Sequence, residues 1–212
     1  MADLVPPGAY IGVIKRYAHK SSPLPDTRLT NGRETKGVMR ESLAPFSFGG
    51  HMESGYFYFI KDEFFDSLPG CGLMLNKEGE NHSRPCYYCF QYGGYSWMVP
   101  ISSRIAKYQA IYDKQIEKRG FCDTILFGFV NGSNRAFLIQ NAFPISEDYV
   151  AEQYMVNKNT VPVTVNSKIE KAIHAALRKV IRLYERGTKL TLTDLDRIIA
   201  FLNSKVNEDE RT

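Results

Sequence analysis

Residues 85–104 read PCYYCFQYGGYSWMVPISSR, with two aromatic and aliphatic runs on either side of Gly93-Gly94. A Gly-Gly pair between two such runs favours a two-residue hairpin turn, because glycine adopts positive φ without steric cost. The stretch therefore predicts two antiparallel strands, over Pro85–Phe90 and Tyr95–Ile101. It ends in two serines and an arginine, where the pattern changes to that of a helix.

Apolar residues at helical spacing continue from the serines to Arg119 and predict a helix that covers the first hairpin. Ser102 or Ser103 is expected to be its N-cap, since hydroxyl side chains accept hydrogen bonds from the first free N–H groups. Further along, residues 124–140 predict a second hairpin around Asn131-Gly132, a pair that tolerates positive φ.

The C-terminal quarter is predicted to be helical. Residues 166–186 carry an apolar stripe at helical spacing, and a last helix is expected from about residue 194 to 205. Hairpins followed by helices, without regular strand–helix alternation, indicate the α+β class.

The first 52 residues differ from the rest. They contain five of the ten prolines and no sustained apolar period, and Gly49-Gly50 precedes a change to aromatic-rich sequence. We expect a weakly ordered leader over residues 1–52 and a folded domain over residues 53–212. The function of the leader is unassigned, and the leader is either native or a cloning remnant.

Composition narrows the class of protein. The chain has 212 residues, of which 43% are hydrophobic and 24% are charged, as in soluble globular domains. No apolar run approaches the roughly 20 residues of a membrane-spanning helix, and no signal peptide is recognisable, so cytoplasmic residence is the default expectation. The four cysteines are too sparse for a disulfide scaffold and are expected to be reduced.

The strand-to-helix junction is the first candidate for chemistry. Free N–H groups of a first helical turn attract anions, and Ser102, Ser103 and Arg104 would add hydroxyl groups and a positive charge. Ordinary helix capping explains the serines as well, and more commonly. Just before the first hairpin, His82 and Arg84 suit proton transfer and phosphate binding, although two solvated loop residues would look the same.

Two further segments suit contact with RNA. Gln140 and Asn141 end a strand with adjacent amides that can read base edges, and Phe143 could stack on a base or belong to the core. The predicted long helix has a basic stripe opposite its apolar face, for which RNA contact and plain solvation are equally good explanations. The stripe comprises Lys168, Lys171, His174, Arg178, Arg182 and Arg186.

A zinc site is improbable. In Cys86-Tyr87-Tyr88-Cys89, the three-residue spacing on a strand directs the two thiols to opposite faces, and no second Cys-x-x-Cys is present. Nucleophile elbows, phosphate-binding loops and dinucleotide fingerprints are also missing from the sequence.

Taken together, three features resemble the ToxN/AbiQ family of type III toxin–antitoxin toxins, and its CptN-like branch in particular. They are Pro100-Ile101-Ser102-Ser103, the run from Leu138 to Ile145, and the basic residue at 84 within Asn81–Tyr87. The similarity extends over about Tyr56 to Leu202.

The resemblance implies a compact, partly closed antiparallel β-barrel, related to MazF-like toxins and covered by helices. It implies a metal-independent endoribonuclease without a cofactor, whose partners are a pseudoknot RNA antitoxin that it processes and cellular or phage RNA. Such a protein would form a hetero-oligomeric complex with its RNA and act in phage defence or plasmid maintenance.

By position, the resemblance gives Arg84 and the pair Ser102-Ser103 catalytic roles, with His82 as a candidate for proton transfer. Arg104 or Lys107 would replace a lysine of the family, which here is Ile105. The expected RNA-binding residues are Arg104, Lys107, Gln140, Asn141, Phe143, Lys171, Arg178 and Arg182.

The resulting hypothesis is RNA cleavage by attack of a 2'-hydroxyl on the adjacent phosphate, which leaves a 2',3'-cyclic phosphate. The alternatives are a non-catalytic adaptor that binds structured RNA and a zinc-stabilised structural module.

Overall fold

The computed structural model describes residues 52–76 and 84–209, and of residues 207–209 it describes the backbone only. The first hairpin forms as predicted, from strands β2 (Cys86–Tyr92) and β3 (Tyr95–Ser102). Gly93 and Gly94 join them with φ of 63° and 83°, the left-handed values for which the Gly-Gly pair was expected.

The second hairpin and the predicted helices also form, and three short elements were not anticipated: the 3₁₀ turns Ile139–Asn141 and Glu147–Tyr149, and a strand between them. The remaining strands are β1 (Phe57–Ile60), β4 (Ile125–Val130), β5 (Ser133–Leu138), β6 (Phe143–Ile145), β7 (Val150–Gln153), β8 (Met155–Val156) and β9 (Val161–Pro162). The helices are α1 (Asp62–Asp66), α2 (Ile105–Arg119), α3 (Ser167–Glu185) and α4 (Leu195–Asp209).

Seven strands form one antiparallel sheet in the order β4-β5-β3-β2-β1-β7, with β6 also paired to β3. β5 and β6 share one edge of β3. Ser102 pairs with Ala136 of β5, whereas Met98 pairs with Phe143 of β6. The 3₁₀ turn separates β5 from β6, so β5 pairs with the C-terminal end of β3 and β6 pairs with its N-terminal half.

The expected barrel closure is not confirmed. Among the described residues the sheet ends at β4 and β7, which do not pair with each other, so it remains open. Helices cover both faces instead. The side chains of α3, including Ile173 and Leu177, pack on one face, and Ile198 of α4 and Phe64 of α1 pack on the other. Both faces are thereby buried without closure.

The prediction that helix α2 covers the first hairpin is wrong, because α2 packs on the second hairpin. Its only fully buried side chain, Tyr108, packs with Ile125, Ala136 and Leu138 of the second hairpin. The strands of that hairpin are joined by Asn131 and Gly132, at φ of 46° and 72°.

The expected leader lies outside the described residues except for its last one. Met52 is buried at 2% exposure in the cluster beneath α4 and therefore belongs to the folded domain. No helix within the described residues is long and apolar enough to cross a membrane.

Candidate phosphate-binding site

Arg84 lies beside the end of β3 because the first hairpin pairs Cys86 with Pro100. Its Nη1 donates a hydrogen bond to the carbonyl oxygen of Ile101 at 2.8 Å, and its Nε donates to the carbonyl of Leu75 at 3.2 Å. The guanidinium is half-buried and lies one residue away from Ser102. The sheet register therefore brings together Arg84 and the serine pair, which are far apart in the sequence.

Neither serine is the N-cap of α2, contrary to the simplest expectation. The N-cap is Arg104, whose side chain cannot accept a hydrogen bond. Ser102 is 3% exposed, and its Oγ accepts a hydrogen bond from the Arg104 N–H at 3.2 Å, whereas Ser103 is exposed. The first turn of α2 thus lacks a cap from its own N-cap residue and contains no acidic side chain.

This junction has an excess of positive charge. Arg104 and Lys107 are both exposed within the first turn of α2, and Lys107 Nζ lies 5.5 Å from the centroid of the Tyr108 ring. A helix N-terminus already has a partial positive charge, and these two side chains increase the local potential. The arrangement can bind an anion such as a phosphate, with Ser103 as a hydroxyl donor.

Sequence reasoning missed Arg135. Because Ser102 pairs with Ala136, the antiparallel register brings Arg135, the residue before Ala136, to the end of β3, where Ser103 follows. Arg135 is half-buried near the start of β5. The only sequence signal for Arg135 was its position in a predicted strand. That this strand pairs with β3, which ends at Ser102, cannot be read from local sequence patterns.

His82, our candidate for proton transfer, lies outside the described residues. Gln140 and Asn141 lie in the 3₁₀ turn beside the middle of β3 and are only 9% and 8% exposed. The backbone of Gln140 bridges two segments, because its N–H donates to Thr124 and its carbonyl accepts from the Leu192 N–H. The structure brings these two residues to β3 but not to the exposed junction at Ser103.

Phe143 does not have the exposure that base stacking requires. Its ring is 2% exposed and stacks on Phe64 with 5.5 Å between ring centroids. The phenylalanine belongs to the core, which is the alternative that the sequence left open, because its strand pairs along β3 beneath α1 and α4.

The basic stripe of α3 does form, but much of it lies away from the junction. The Arg178 guanidinium lies 5.0 Å from the centroid of the Phe90 ring, and Arg182 is exposed one turn further along α3. Phe90 is near the turn end of β2, whereas Arg84 precedes the opposite end. Lys171 is exposed on the first half of the helix.

His174 interrupts this stripe with a different environment. Its Nε2 lies 3.3 Å from the Ser54 Oγ, which also donates to the Glu170 carboxylate at 3.4 Å. Burial lowers the pKa of His174, while Glu170 opposes this shift and Arg178 adds to it. This lowered pKa favours the neutral imidazole over the charged form, unlike the lysines and arginines of the stripe.

The thiols behave as the strand spacing predicted. Cys86 belongs to the core beneath α4, and Cys89 belongs to the core beneath α3, so their side chains lie on opposite faces of the sheet. Burial raises the pKa of Cys86 to about 12. The described residues contain no group of three or more His, Cys, Asp or Glu side chains that could hold a metal ion.

Comparison with known proteins gives a result at the level of structure only. No protein-family model and no curated protein matches the sequence. Several solved structures match, and two of them share 17% identity with this chain. One is ToxN, from a bacterial type III toxin–antitoxin system with selective toxin inhibition by a non-coding RNA pseudoknot, with a TM-score of 0.51 over 76% of this chain and 100% of that one. The other is AbiQ, a lactococcal anti-phage endoribonuclease of the type III toxin–antitoxin class, with a TM-score of 0.53 over 72% and 99%. The fold is therefore that of these toxins.

Proposed function

We propose that this protein is an endoribonuclease toxin of a type III toxin–antitoxin system. The observation that carries the proposal is the hydrogen bond from Arg84 to Ile101, which holds a guanidinium beside a basic helix N-terminus whose N-cap side chain accepts no hydrogen bond. The likeness to ToxN and AbiQ supports it, since both structural neighbours belong to such systems and AbiQ is an endoribonuclease.

In the proposed reaction, the scissile phosphate binds at the N-terminus of α2, where backbone N–H groups and the Ser103 hydroxyl donate hydrogen bonds to its oxygens. The 2'-hydroxyl of the RNA loses its proton and forms a bond to phosphorus, and the bond to the 5'-oxygen breaks. The products are a 2',3'-cyclic phosphate and a 5'-hydroxyl that takes up a proton. Arg84 and Arg135 stabilise the negative charge that develops on the phosphate in the transition state.

Proton transfer requires a group that titrates near neutral pH, and His82 remains our candidate. The mechanism needs no metal ion. The proposed inhibitor is a pseudoknot RNA antitoxin that occupies the same site, in a protein–RNA complex in the cytoplasm. The proposed targets are cellular or phage RNA, and the proposed role is defence against phage.

Cleavage of a labelled RNA by the purified protein tests this proposal. The wild type is expected to cleave in the presence of EDTA and to leave a cyclic phosphate. A 2'-deoxy sugar at the cut site is expected to abolish cleavage there, since the nucleophile is missing. Continued cleavage at that deoxy position, or loss of cleavage in EDTA, would contradict the mechanism.

Arg84→Ala separates catalysis from binding. With saturating RNA, we expect a fall in the cleavage rate of about 10²-fold or more, because a charge that stabilises the transition state is lost. Arg84 also donates to two backbone carbonyls, so the melting temperature is measured in parallel and Arg84→Lys is included. The matched control is Arg197→Ala, which removes an exposed arginine from α4. RNA binding without cleavage by the wild type would favour the adaptor instead.

A further inference from the structure

A shallow groove runs between the turn end of the first hairpin and helix α3. Its walls are two aromatic residues of β2 and two arginines of α3, with an apolar floor. The lining residues are Phe90, Gln91, Tyr92, Arg178, Ile181 and Arg182.

Tyr92 is an exposed aromatic ring that is held in place. The residue is 45% exposed, and its hydroxyl donates to the Glu185 carboxylate of α3 at 2.6 Å. Its carbonyl oxygen accepts a hydrogen bond from Trp97 Nε1 at 3.2 Å. Because both its side chain and its backbone are anchored, the ring loses little conformational freedom when a ligand binds.

The arginines provide positive charge next to this ring. Arg178 packs over Phe90 at 5.0 Å, which holds its guanidinium at the groove, and Arg182 is exposed one turn further along. Among the described residues, none of those that line the groove is acidic. Two carboxylates contact lining residues and already accept hydrogen bonds from them, Glu185 from Tyr92 and Glu147 from Gln91. The groove therefore favours a ligand with a flat ring and a negative charge.

We propose that this groove binds an unpaired nucleotide of an RNA strand, with its base stacked on Tyr92 and its phosphate against Arg178 and Arg182. Aromatic rings beside cationic side chains bind single strands in this way, because every base has a π-face and every linkage has a charge. A duplex cannot present a free base face. The proposal rests on the proposed function, which requires RNA to reach the protein, but it concerns a second site.

The groove is too distant to belong to the phosphate site. Tyr92 follows Arg84 by eight residues on a strand, which corresponds to about 26 Å of extended chain. At about 3.4 Å per stacked nucleotide, an RNA needs about eight nucleotides to reach both sites. The groove therefore increases the affinity most for single strands that are long enough to occupy both sites at once.

Fluorescence anisotropy with 2'-O-methyl RNA, which cannot be cleaved, tests the groove. The probes are a 12-nucleotide single strand, a 4-nucleotide strand and a 12-base-pair duplex. Tyr92→Ala is expected to weaken binding of the 12-nucleotide strand by about tenfold, as expected for loss of one base–aromatic stack. Arg182→Gln is expected to reduce the slope of log affinity against log salt by about 0.7, which corresponds to one phosphate contact. The loss for the 4-nucleotide strand should be smaller in both variants, because that strand cannot occupy both sites at once.

Two controls make the result specific. Tyr92→Phe retains the ring and loses the bond to Glu185, so it should bind within a few-fold of the wild type. Arg197→Gln removes an exposed arginine outside the groove and should leave the binding of all three probes as it is in the wild type.

Equal affinity of Tyr92→Ala and the wild type for the 12-nucleotide strand would overturn the proposal, as would an equal loss for the duplex. If the wild type cleaves RNA while the groove variants bind it normally, this inference fails and the proposed function stands. If the wild type neither binds nor cleaves RNA, the proposed function fails.

Discussion

Replacement of Gly72 by alanine should destabilise the protein far more than its exposed position suggests. Gly72 has a φ of +69°, and a Cβ atom there would lie 2.1 Å from the backbone carbonyl oxygen of Leu192. Ordinary contact begins at 3.4 Å, so one of the two backbones must move by about 1.3 Å. The opposing segment is anchored, because Leu192 N–H donates to Gln140 and Thr193 Oγ1 donates to Ala142.

The expected cost has two parts. A left-handed backbone costs an L-residue about 1–2 kcal/mol, and a forced displacement in packed structure costs about 1–3 kcal/mol. We expect a loss of about 3 kcal/mol in the free energy of unfolding for Gly72→Ala. Gly94→Ala is the matched control, because Gly94 has a φ of +83° with nothing within 4 Å of an added Cβ. It should cost only the backbone part, about 1 kcal/mol.

Urea denaturation followed by the fluorescence of Trp97, the single tryptophan, measures both variants. Trp97 is 2% exposed, so its emission reports the loss of the core around it. If the variants have the same dependence of unfolding free energy on urea concentration but different midpoint concentrations, the difference between them is one of stability. If Gly72→Ala and Gly94→Ala lie within about 0.5 kcal/mol of each other, the close contact with Leu192 contributes nothing and the reasoning is refuted.

Two further changes test polar groups next to α3, the buried Tyr87 hydroxyl and the half-buried imidazole of His174. The Tyr87 hydroxyl is buried with no hydrogen-bond partner among the described residues, so Tyr87→Phe should raise the unfolding free energy by about 1 kcal/mol, and a clear decrease in urea denaturation would contradict this. His174 has its pKa lowered below its ordinary 6.5 in the folded state, chiefly by burial, so the unfolded chain binds more protons and stability should decrease as the pH falls through 6.5. His174→Gln should flatten the dependence of the unfolding free energy on pH between 7 and 5, and an unchanged profile would assign that dependence to other groups.

The candidate site was only partly accessible to sequence reasoning. Ser103 and Arg104 stand at a junction between a strand pattern and a helix pattern, which is a local signal, and the junction lies there. The capping role expected of the serines was wrong, because Ser102 turns into the protein and Arg104 takes the N-cap position. Arg135 has no local signal, since its position at the end of β3, where Ser103 follows, depends on which strands pair.

The sequence by itself determined the elements whose causes are local. Gly93-Gly94 and Asn131-Gly132 adopt the positive φ values that two-residue turns need, and the apolar stripe of α3 follows directly from helical spacing. These features depend on neighbours within a few residues, and their sterics and periodicity can be read from the chain.

Only the tertiary structure decided which elements meet. It placed α2 on the second hairpin, buried Phe143 under α1 and α4, and left the sheet open between β4 and β7. It also separated the groove at Tyr92 from the junction at Ser103. Strand pairing and helix docking join residues far apart in the sequence, and the total burial that they achieve selects among arrangements that local patterns permit equally.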